Sequence, residues 1–432
     1  MKRTFRSLRG FNYRVWACGA LVSNVGTWMQ RIAQGWLVLT QLTHNNATAM
    51  GVLMALQFGP HLLMLPLTGF AADHFNRRKL LIATQAGMGA LAFGLGMLTI
   101  TGLVQLWHVY VFAFALGCVT AFDSPARHTF VAELVGEADL SNAVALNSTS
   151  FNAARMIGPA IAGTLIASVG SGWVFLINAA SFVAVLCSLA LLRVNELHVQ
   201  DRATRTRGSF VEGFRYVWKR PDLKAIILML FLIGTFGLNF QIFISTMSVK
   251  VFHAGASQYG FLTSVMAVGT IAGALLAAGR EKPHFVLLLV GAAIFGLGCT
   301  LAALAPNAWL FGMSLVVIGV SALTFSNSTN SLMQLSTEPA MRGRVMAIRL
   351  AIALGCTPLG APIVGWVADS FGPRWSLGVG AASGFAAAIV GLHYLRKYRN
   401  LSISFDAGRL RFSIDDGEPV IASFESSHHA RA

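Results

Sequence analysis

Charge is scarce in this chain, and acidic charge most of all. Only 11% of its 432 residues are charged, with 32 Lys and Arg against 17 Asp and Glu, whereas a soluble domain carries roughly 25%. Because 55% of the residues are hydrophobic, the composition excludes an ordinary soluble protein. A net charge of +15 would otherwise suggest a protein that binds nucleic acid, but the basic residues form no single patch. We therefore expect no nucleic-acid partner.

Cysteine is also rare, and clusters of catalytic residues are lacking. The five cysteines fall inside apolar segments without paired or metal-ligand spacing, so we interpret them as packing residues. The polar connections contain no nucleophile with a base, no metal cluster and no phosphate-binding loop. We expect neither an enzyme nor a bound metal or cofactor.

What the chain does have is twelve apolar segments of bilayer-spanning length. A stretch of about 20 apolar residues crosses lipid only as a helix that satisfies its own amides. The sequence therefore predicts an all-α membrane protein with twelve transmembrane helices. The predicted spans are 13–42, 48–72, 79–101, 107–126, 140–168, 173–193, 223–250, 257–279, 284–305, 308–330, 345–369 and 374–396.

Basic residues fall in alternate connections between these spans. The opposite connections hold only Lys250 and Arg374. By the positive-inside rule, the basic connections and both termini face the cytoplasm. This predicts a multi-pass protein of the plasma membrane. The basic segment 1–10 has no small-residue cleavage site, so we expect the first helix to be retained.

The two parts of the chain repeat one another. Gly158 and Gly163 recur as Gly360 and Gly365, each 202 positions later. Such repeats are typical of transporters that hold a substrate between two halves near the bilayer midplane. We predict two pseudo-symmetric six-helix bundles, a linker and a tail. These are the first half 1–193, the linker 194–222, the second half 223–399 and the tail 400–432.

The linker and the tail have patterns of their own. Residues 210–218 form an amphipathic run, which predicts a helix lying in the membrane interface. In the tail, apolar and polar residues alternate on both sides of 406–409. This pattern predicts a small hairpin, and a disordered tail is the alternative.

A loop motif follows the second predicted span. Residues 69–79 (GFAADHFNRRK) comprise a small-residue helix end, an acid, a tight turn and a basic cluster. The segment resembles the loop motif of the major facilitator superfamily, with Asn76, which tolerates the same left-handed backbone, in place of the second glycine. The variant is most similar to the branch of bacterial enterobactin exporters and macrolide efflux proteins. Segments 123–127 and 155–163 resemble that branch too, and the resemblance covers residues 11–399.

The resemblance implies a cytoplasmic gate. In the superfamily the matching acid caps a helix and the matching arginine pairs with another acid. Asp73 would therefore lie at the start of the helix near Val345, where the helix dipole favours a negative charge. Arg77 would pair with Asp123, beside Arg127. The alternative is that the basic cluster only sets orientation.

A glycine and proline motif lies in the fifth predicted span. Gly158, Pro159 and Gly163 resemble the motif that exporters of the superfamily carry there. Glycine permits the close approach of a neighbouring helix, and proline removes an amide and bends the helix. We favour a gating role in an antiporter. Plain helix packing is the alternative, which the recurrence in the second half supports.

Ionisable residues inside the spans are few, and each is costly unless it faces a cavity or a partner. Arg31, Arg155 and His61 lie deep, and no Asp or Glu has comparable depth. Polar residues accompany Arg31 at helical spacing, and in the superfamily the first, fourth, seventh and tenth helices line the cavity. Hydrogen bonding between helices is the alternative for each polar residue. The predicted substrate-binding residues are Asn24, Thr27, Arg31, Gln34, Arg155, Asn239, Asn327 and Asn330.

Two deep arginines without a carboxylate favour an anionic solute. We expect an amphipathic anion or phenol such as a siderophore, with apolar contact from the 30 Phe and 9 Trp. The alternative is that Arg155 bonds to backbone carbonyls. His61 is the candidate proton carrier because histidine titrates near neutral pH, and a hydrogen bond to a neighbouring helix is its alternative role.

The predicted function is secondary active transport. We expect a monomeric, proton-coupled exporter of a small amphipathic compound or drug, working by alternating access. Its partners are a small-molecule substrate, the proton gradient and the lipid bilayer. An importer of a small metabolite is the alternative, since direction follows gradients more than residues. A channel would need a repeated filter, and a non-transporting sensor would need a large soluble appendage.

Overall fold

The chain forms a bundle of long helices. The computed structural model describes residues 5–64, 67–68, 71, 75–198, 210–278, 284–398, 402–406 and 409–413. The α-helices are α1 (Phe11–Trp36), α2 (Ala47–Leu63), α3 (Arg77–Ile100), α4 (Leu106–Val169), α5 (Ser171–Ala190), α6 (Phe210–Lys219), α7 (Pro221–Leu232), α8 (Phe240–Thr246), α9 (Ala256–Ala278), α10 (Phe285–Leu304), α11 (Ala308–Leu335), α12 (Pro339–Ser370) and α13 (Pro373–Tyr398). Turns of π-helix occupy Leu37–Leu42, Ile233–Gly237 and Met247–Val251, and 3-10 turns occupy Arg6–Arg9 and Val194–Glu196.

Nine helices of the described residues are long and apolar enough to cross a membrane. They are α3, α4, α5, the run Pro221–Val251 that joins α7 to α8, and α9 to α13. The helix α2 is apolar but shorter, and α1 carries buried polar residues along its 26-residue length. The chain is therefore a nearly all-helical membrane protein.

The fourth and fifth predicted spans form one helical run rather than two helices with a loop at 127–139. The run α4 has 64 residues and is broken only at Gly136, whose φ is 69°. This left-handed backbone favours glycine. The residues before the break stay helical because Phe130, Val131 and Leu134 are buried, so tertiary packing supports the extra turns. The break divides α4 into a first arm and a second arm.

The predicted amphipathic helix and the predicted hairpin are both present. The linker forms α6. In the tail, β1 (Ser402–Asp406) pairs antiparallel with β2 (Arg409–Ser413), with Ser402 opposite Ser413. Both are local patterns that the sequence encodes without long-range contacts.

Two helix crossings join the first half to the second. A Cβ atom on Gly51 of α2 would lie 2.4 Å from the carbonyl oxygen of Ala361 in α12. A Cβ atom on Gly260 of α9 would lie 2.3 Å from the carbonyl oxygen of Pro159 in the second arm of α4. Gly260 follows Gly51 by 209 positions, and Ala361 follows Pro159 by 202. The two crossings are therefore related by nearly the same offset along the chain, and both require glycine for backbones to approach this closely.

The helices run between two faces. The basic face carries the turn Arg6–Arg9, the start of α3 and the start of α12. The opposite face carries the start of α2, the end of α12 and the start of α9. Between the faces, the largest apolar core includes Met50, Phe243 and Tyr259, all fully buried, so it combines side chains of both halves.

Candidate functional site

Two arginines meet at one tryptophan in the interior. The guanidinium carbon of Arg31 lies 4.8 Å from the ring centre of Trp28, and that of Arg155 lies 5.6 Å from it. Trp28 fits against the second arm of α4 because Gly158 has no side chain: a Cβ atom there would be 2.7 Å from the Trp28 Cβ. Stacking on the ring contributes roughly 0.5 to 2 kcal/mol per cation, which helps two like charges share one site.

Neither arginine has an acidic partner. Within the described part of the chain, no salt bridge includes Arg31 or Arg155. The Nε atom of Arg31 is buried and donates no hydrogen bond. An unpaired buried charge is costly, so this arrangement favours the entry of an anion.

Phe58 and His61 of α2 adjoin Arg31, Arg155 and Trp28, which we call the arginine cluster. The Arg31 guanidinium lies 5.5 Å from the Phe58 ring centre, and the Phe58 and His61 rings are 6.2 Å apart. His61 Nε2 lies 3.3 Å from the Thr120 hydroxyl, whereas its Nδ1 is buried without a partner. His61 thus makes a contact with a neighbouring helix, as expected if its role is structural, and it also keeps Nδ1 free near the arginines, as a proton carrier would require.

Side chains of α8 and α9 contact the last turns of α1, from Arg31 onward. Gln241 of α8 donates its side-chain amide to the backbone carbonyl of Arg31 at 3.0 Å. Tyr259 of α9 stacks on Trp36, with ring centres 6.1 Å apart. The Tyr259 hydroxyl and both amide atoms of Gln34 are buried without hydrogen-bond partners. Sequence reasoning missed Tyr259 because an aromatic residue in a span normally packs, and only its unpartnered hydroxyl distinguishes it.

Three predicted substrate residues lie elsewhere. Asn239 is fully buried at the start of α8, where its amide donates to the Thr235 carbonyl at 2.7 Å and its Oδ1 has no partner. Asn327 is exposed and Asn330 is half-buried on α11. No hydrogen bond or ring contact among the described residues joins these three to the arginine cluster.

Arg349 of α12 was missed at the sequence level. It donates to the Ser326 carbonyl of α11 at 3.3 Å, and its Nε is buried without a partner. The residue lies four positions inside the predicted span 345–369. Its position inside a span was the signal that could have identified it.

Asn24 and Thr27 are engaged in other contacts. Asn24 accepts a hydrogen bond from Arg127 at 2.9 Å, and the Thr27 hydroxyl donates to the Ser23 carbonyl at 2.8 Å. Asn24 therefore joins the polar network predicted for the gate. Thr27 satisfies its hydroxyl within its own helix, as threonine commonly does.

That network centres on Asp123, whose side chain is only 6% exposed. Its carboxylate accepts hydrogen bonds from Arg127 at 2.9 and 3.1 Å, from Thr84 at 2.8 Å and from Gln85 at 2.7 Å. These four hydrogen bonds from three residues satisfy the buried carboxylate of Asp123. The network links α1, α3 and the first arm of α4.

The expected pairing of Arg77 with Asp123 was wrong. Arg77 instead forms a salt bridge of 2.6 Å with Glu133, and the two side chains are 15% and 13% exposed. The reason is that α4 continues through the expected loop and presents Glu133 to the start of α3, while Arg127 neutralises Asp123 from one helical turn away. Asp73, the predicted helix cap, lies outside the described residues.

The predicted gating motif lies at helix crossings. Gly158 contacts α1, and Pro159 contributes the carbonyl that Gly260 approaches. A Cβ atom on Gly163 would lie 2.6 Å from the Ala256 carbonyl at the start of α9. This is the close packing that the alternative interpretation predicted. Pro159 and Gly163 thereby pack against α9, and Gly158 packs against α1.

Another carboxylate fastens the opposite face. Asp369, at the end of α12, accepts hydrogen bonds from the amides of Ala47 and Thr48 at 2.9 and 2.7 Å, and from the Thr48 hydroxyl at 2.7 Å. Lys250 donates to it at 2.8 Å. We call these four residues the Asp369 latch. It caps the N-terminus of α2, where the helix dipole favours an anion. Sequence reasoning missed it, although Lys250 was already an exception among the connections.

Within the described residues, no group of three or more His, Cys, Asp or Glu side chains could hold a metal ion. The five cysteines are free thiols.

Comparison with known proteins identifies the family. The profile of the transmembrane secretion effectors matches residues 3–408. The multidrug efflux pump Tap of Mycolicibacterium fortuitum is 26% identical over 367 residues, which cover 82% of this chain and 88% of that protein. The staphyloferrin A transporter of Staphylococcus aureus is 24% identical over 352 residues, covering 81% and 87%.

Among solved structures, a bacterial homologue of the human lysosomal transporter Spinster, inward-facing and unoccupied, has the same fold. The TM-score is 0.68 at 15% identity, covering 89% of this chain and 98% of that one. The resemblance drawn from the loop motif is thereby confirmed. The chain belongs to the transmembrane secretion effector family of the major facilitator superfamily, and it is a transporter rather than an enzyme.

Proposed function

We propose that this chain is a proton-coupled exporter of a small amphipathic anion. The observation that carries the proposal is the pair Arg31 and Arg155, both over the ring of Trp28 and both without an acidic partner among the residues that the structure describes. A carboxylate or phenolate of the substrate would supply the missing negative charge through charge-assisted hydrogen bonds. Trp28 and Phe58 would contact its apolar part. The relatives named as an efflux pump and a siderophore transporter support export and a siderophore-like substrate.

The proposed architecture has twelve transmembrane helices in two six-helix halves, 1–193 and 223–399. The nine candidate spans become ten crossings if α4 crosses twice, and α1 and α2 add two more. The equivalent crossings at Gly51 and Gly260 support the repeat. The basic face would be cytoplasmic, so that both termini, the linker 194–222 and the tail 400–432 lie inside the cell.

Alternating access would then exchange two sets of contacts. The Asp369 latch and the glycine crossings close the opposite face. Asp73 would close the basic face in the other state by meeting the start of α12. The pairs Arg77–Glu133 and Arg127–Asp123 are already formed here and would hold the start of α3 and the first arm of α4 in place in both states. The motif Gly158, Pro159 and Gly163 would bend or slide where it meets α1 and α9. Asn239, Asn327 and Asn330 would contact the substrate from the second half.

His61 is the proposed proton carrier, and its position also favours the alternative function. A proton on His61 adds positive charge near Arg31, and a bound anion would offset that charge. The electrostatics therefore favour an anion and a proton bound together, which is the sign expected of an importer that moves both in one direction. Export by antiport requires proton and anion to bind in separate steps. Measuring whether the substrate moves in the same direction as the proton or in the opposite direction separates the two functions.

The test is transport into inverted membrane vesicles with a panel of carboxylate and catecholate siderophores, a macrolide and a cationic dye. We expect an anionic compound to accumulate when the lumen is acidified and to leave when an uncoupler is added. The Arg31→Gln, Arg155→Gln double variant should lose this transport. Arg14→Gln, which removes an exposed arginine of the same helix α1, should retain it. Transport of the dye alone, or full activity of the double variant, would overturn the proposal. Accumulation that needs an alkaline lumen would favour import.

A further inference from the structure

An apolar groove lies at the basic face, where α6, α7 and α12 meet. Its volume is about 220 Å³, and its walls include Phe214 and Trp218 of α6, Phe231 of α7 and Ile352 of α12. Lys224 is the only charged residue among its lining side chains. The groove is separate from the arginine cluster and takes no part in the proposed transport mechanism.

The helix α6 presents an unusual surface beside this groove. Val211, Phe214 and Trp218 recur at helical spacing and are all exposed, and the Phe214 and Trp218 rings stack 5.3 Å apart. Arg215 and Lys219 lie along the edge of the same face. An exposed apolar stripe bordered by cations is typical of a helix lying in the interface of a bilayer.

The ion pairs around the groove leave the cations at its mouth available. Glu212 pairs with Arg344 of α12 at 3.0 Å. Arg220 pairs with Asp222 at 2.8 Å, and the hydrogen bond to Asp222 raises the pKa of Arg220 above its ordinary value. These two pairs fasten α6 to α12 and fix the corner between α6 and α7.

By contrast, Arg215, Lys219 and Lys224 take part in no salt bridge among the described residues. Lys224 extends over the Trp218 ring, with its ammonium 4.6 Å from the ring centre. Lys224 thus lines the groove, and Arg215 and Lys219 belong to the helix α6 that forms one of its walls, all three without an ion pair in the described part of the chain. This combination is complementary to a molecule with an anionic head and a long apolar chain.

We propose that this groove binds one anionic phospholipid. The phosphate contacts Lys224, with Lys219 and Arg215 nearby, and an acyl chain follows α7 past Trp218 towards Phe231. That path is about 10 Å long, given the rise of roughly 1.5 Å per residue. Because Ile352 lines the groove and Arg344 fastens α6, the lipid contacts the same helix α12 that carries the Asp369 latch.

The experiment measures lipid binding rather than transport, so that its failure is distinct from failure of the proposed function. The purified full chain is mixed with phosphatidylglycerol or phosphatidylcholine carrying brominated acyl chains, and quenching of tryptophan fluorescence is recorded. The Trp218 signal is the difference between the wild type and Trp218→Phe. We expect stronger quenching by phosphatidylglycerol. Lys224→Gln should weaken its binding about fivefold, since each basic residue contributes about 1 kcal/mol.

The matched control is Lys397→Gln. Lys397 also lies over an aromatic ring, that of Tyr398 at 5.5 Å, but it does not line the groove, so its loss should leave the Trp218 signal unchanged. Native mass spectrometry supplies a second measurement, in which one phosphatidylglycerol should be retained by the wild type and lost from Lys224→Gln. Equal quenching by both lipids, equal effects of the two lysine variants, or displacement by inorganic phosphate would overturn the proposal. Quenching that rises only when residues 401–432 are deleted would assign the groove to the tail and would equally overturn it.

Discussion

Removal of the Asp369 carboxylate should open the opposite face. In Asp369→Ala the amides of Ala47 and Thr48 lose their charged acceptor, and the N-terminus of α2 loses its anion. A hydrogen bond to a charged group contributes about 1.5 to 3 kcal/mol. The Asp369 side chain is 24% exposed, so water replaces part of the hydrogen bonding that the variant loses. We therefore expect the closed arrangement to lose about 2 kcal/mol, which is roughly a 30-fold change in the ratio of open to closed molecules.

Two turns on the opposite face offer a direct assay. His44 precedes α2 in the first half and His253 precedes α9 in the second half, and both are exposed. Spin labels at His44→Cys and His253→Cys, with the native cysteines replaced, report the distance between the halves by pulsed electron resonance. In Asp369→Ala the longer distance should gain population at the expense of the shorter one.

Lys250→Gln is the matched control for that experiment. It removes the other charge of the latch but leaves both amides bonded to Asp369. An ion pair of this exposure contributes about 0.5 kcal/mol, so we expect only about a twofold shift. An unchanged distance distribution in Asp369→Ala would refute the reasoning. So would an equal shift in Lys250→Gln, because the effect would then come from surface charge rather than from capping of α2.

Three further predictions concern the crossings, the basic face and the proton. Gly51→Ala should lower the free energy of unfolding of the purified protein by about 1 to 3 kcal/mol through overpacking. Gly59→Ala, where a Cβ meets nothing within 4 Å, should be neutral. Equal effects of the two variants would argue against a close crossing at Gly51. Arg77→Gln should lower the free energy of unfolding by about 1 to 3 kcal/mol, because it leaves the half-buried carboxylate of Glu133 without its charged partner. Adding Glu133→Gln should recover most of that loss in a double-mutant cycle, and strictly additive losses would count against the pair. His61→Gln should make transport in liposomes independent of the pH gradient while substrate binding persists, and a retained pH dependence would remove His61 as the carrier.

The fold class and family could be predicted from the sequence because the signals are local or repeated. Long apolar segments mark helices in lipid, and an arginine inside such a segment is conspicuous because it is costly. For this reason Arg31 and Arg155 stand out in the sequence alone. The loop motif at 69–79 led to the correct superfamily for the same reason, since it is contiguous in the chain.

The partners of these residues could not be predicted, because they depend on how far helices extend and where they cross. Glu133 reached Arg77 only because α4 continues through an expected loop. Trp28 contacts both arginines only because Gly158 permits a close crossing. The Asp369 latch joins residues that are 321 and 322 positions apart. A single sequence contains no direct signal for contacts at such separations.

The most direct test of the central claim is equilibrium binding of one radiolabelled carboxylate siderophore and its methyl ester to the purified protein. If Arg31 and Arg155 hold the negative charge, the carboxylate should bind and the ester should not, and the Arg31→Gln, Arg155→Gln double variant should bind neither. Equal binding of acid and ester, or undiminished binding of the acid by the double variant, would contradict an anion site at Trp28.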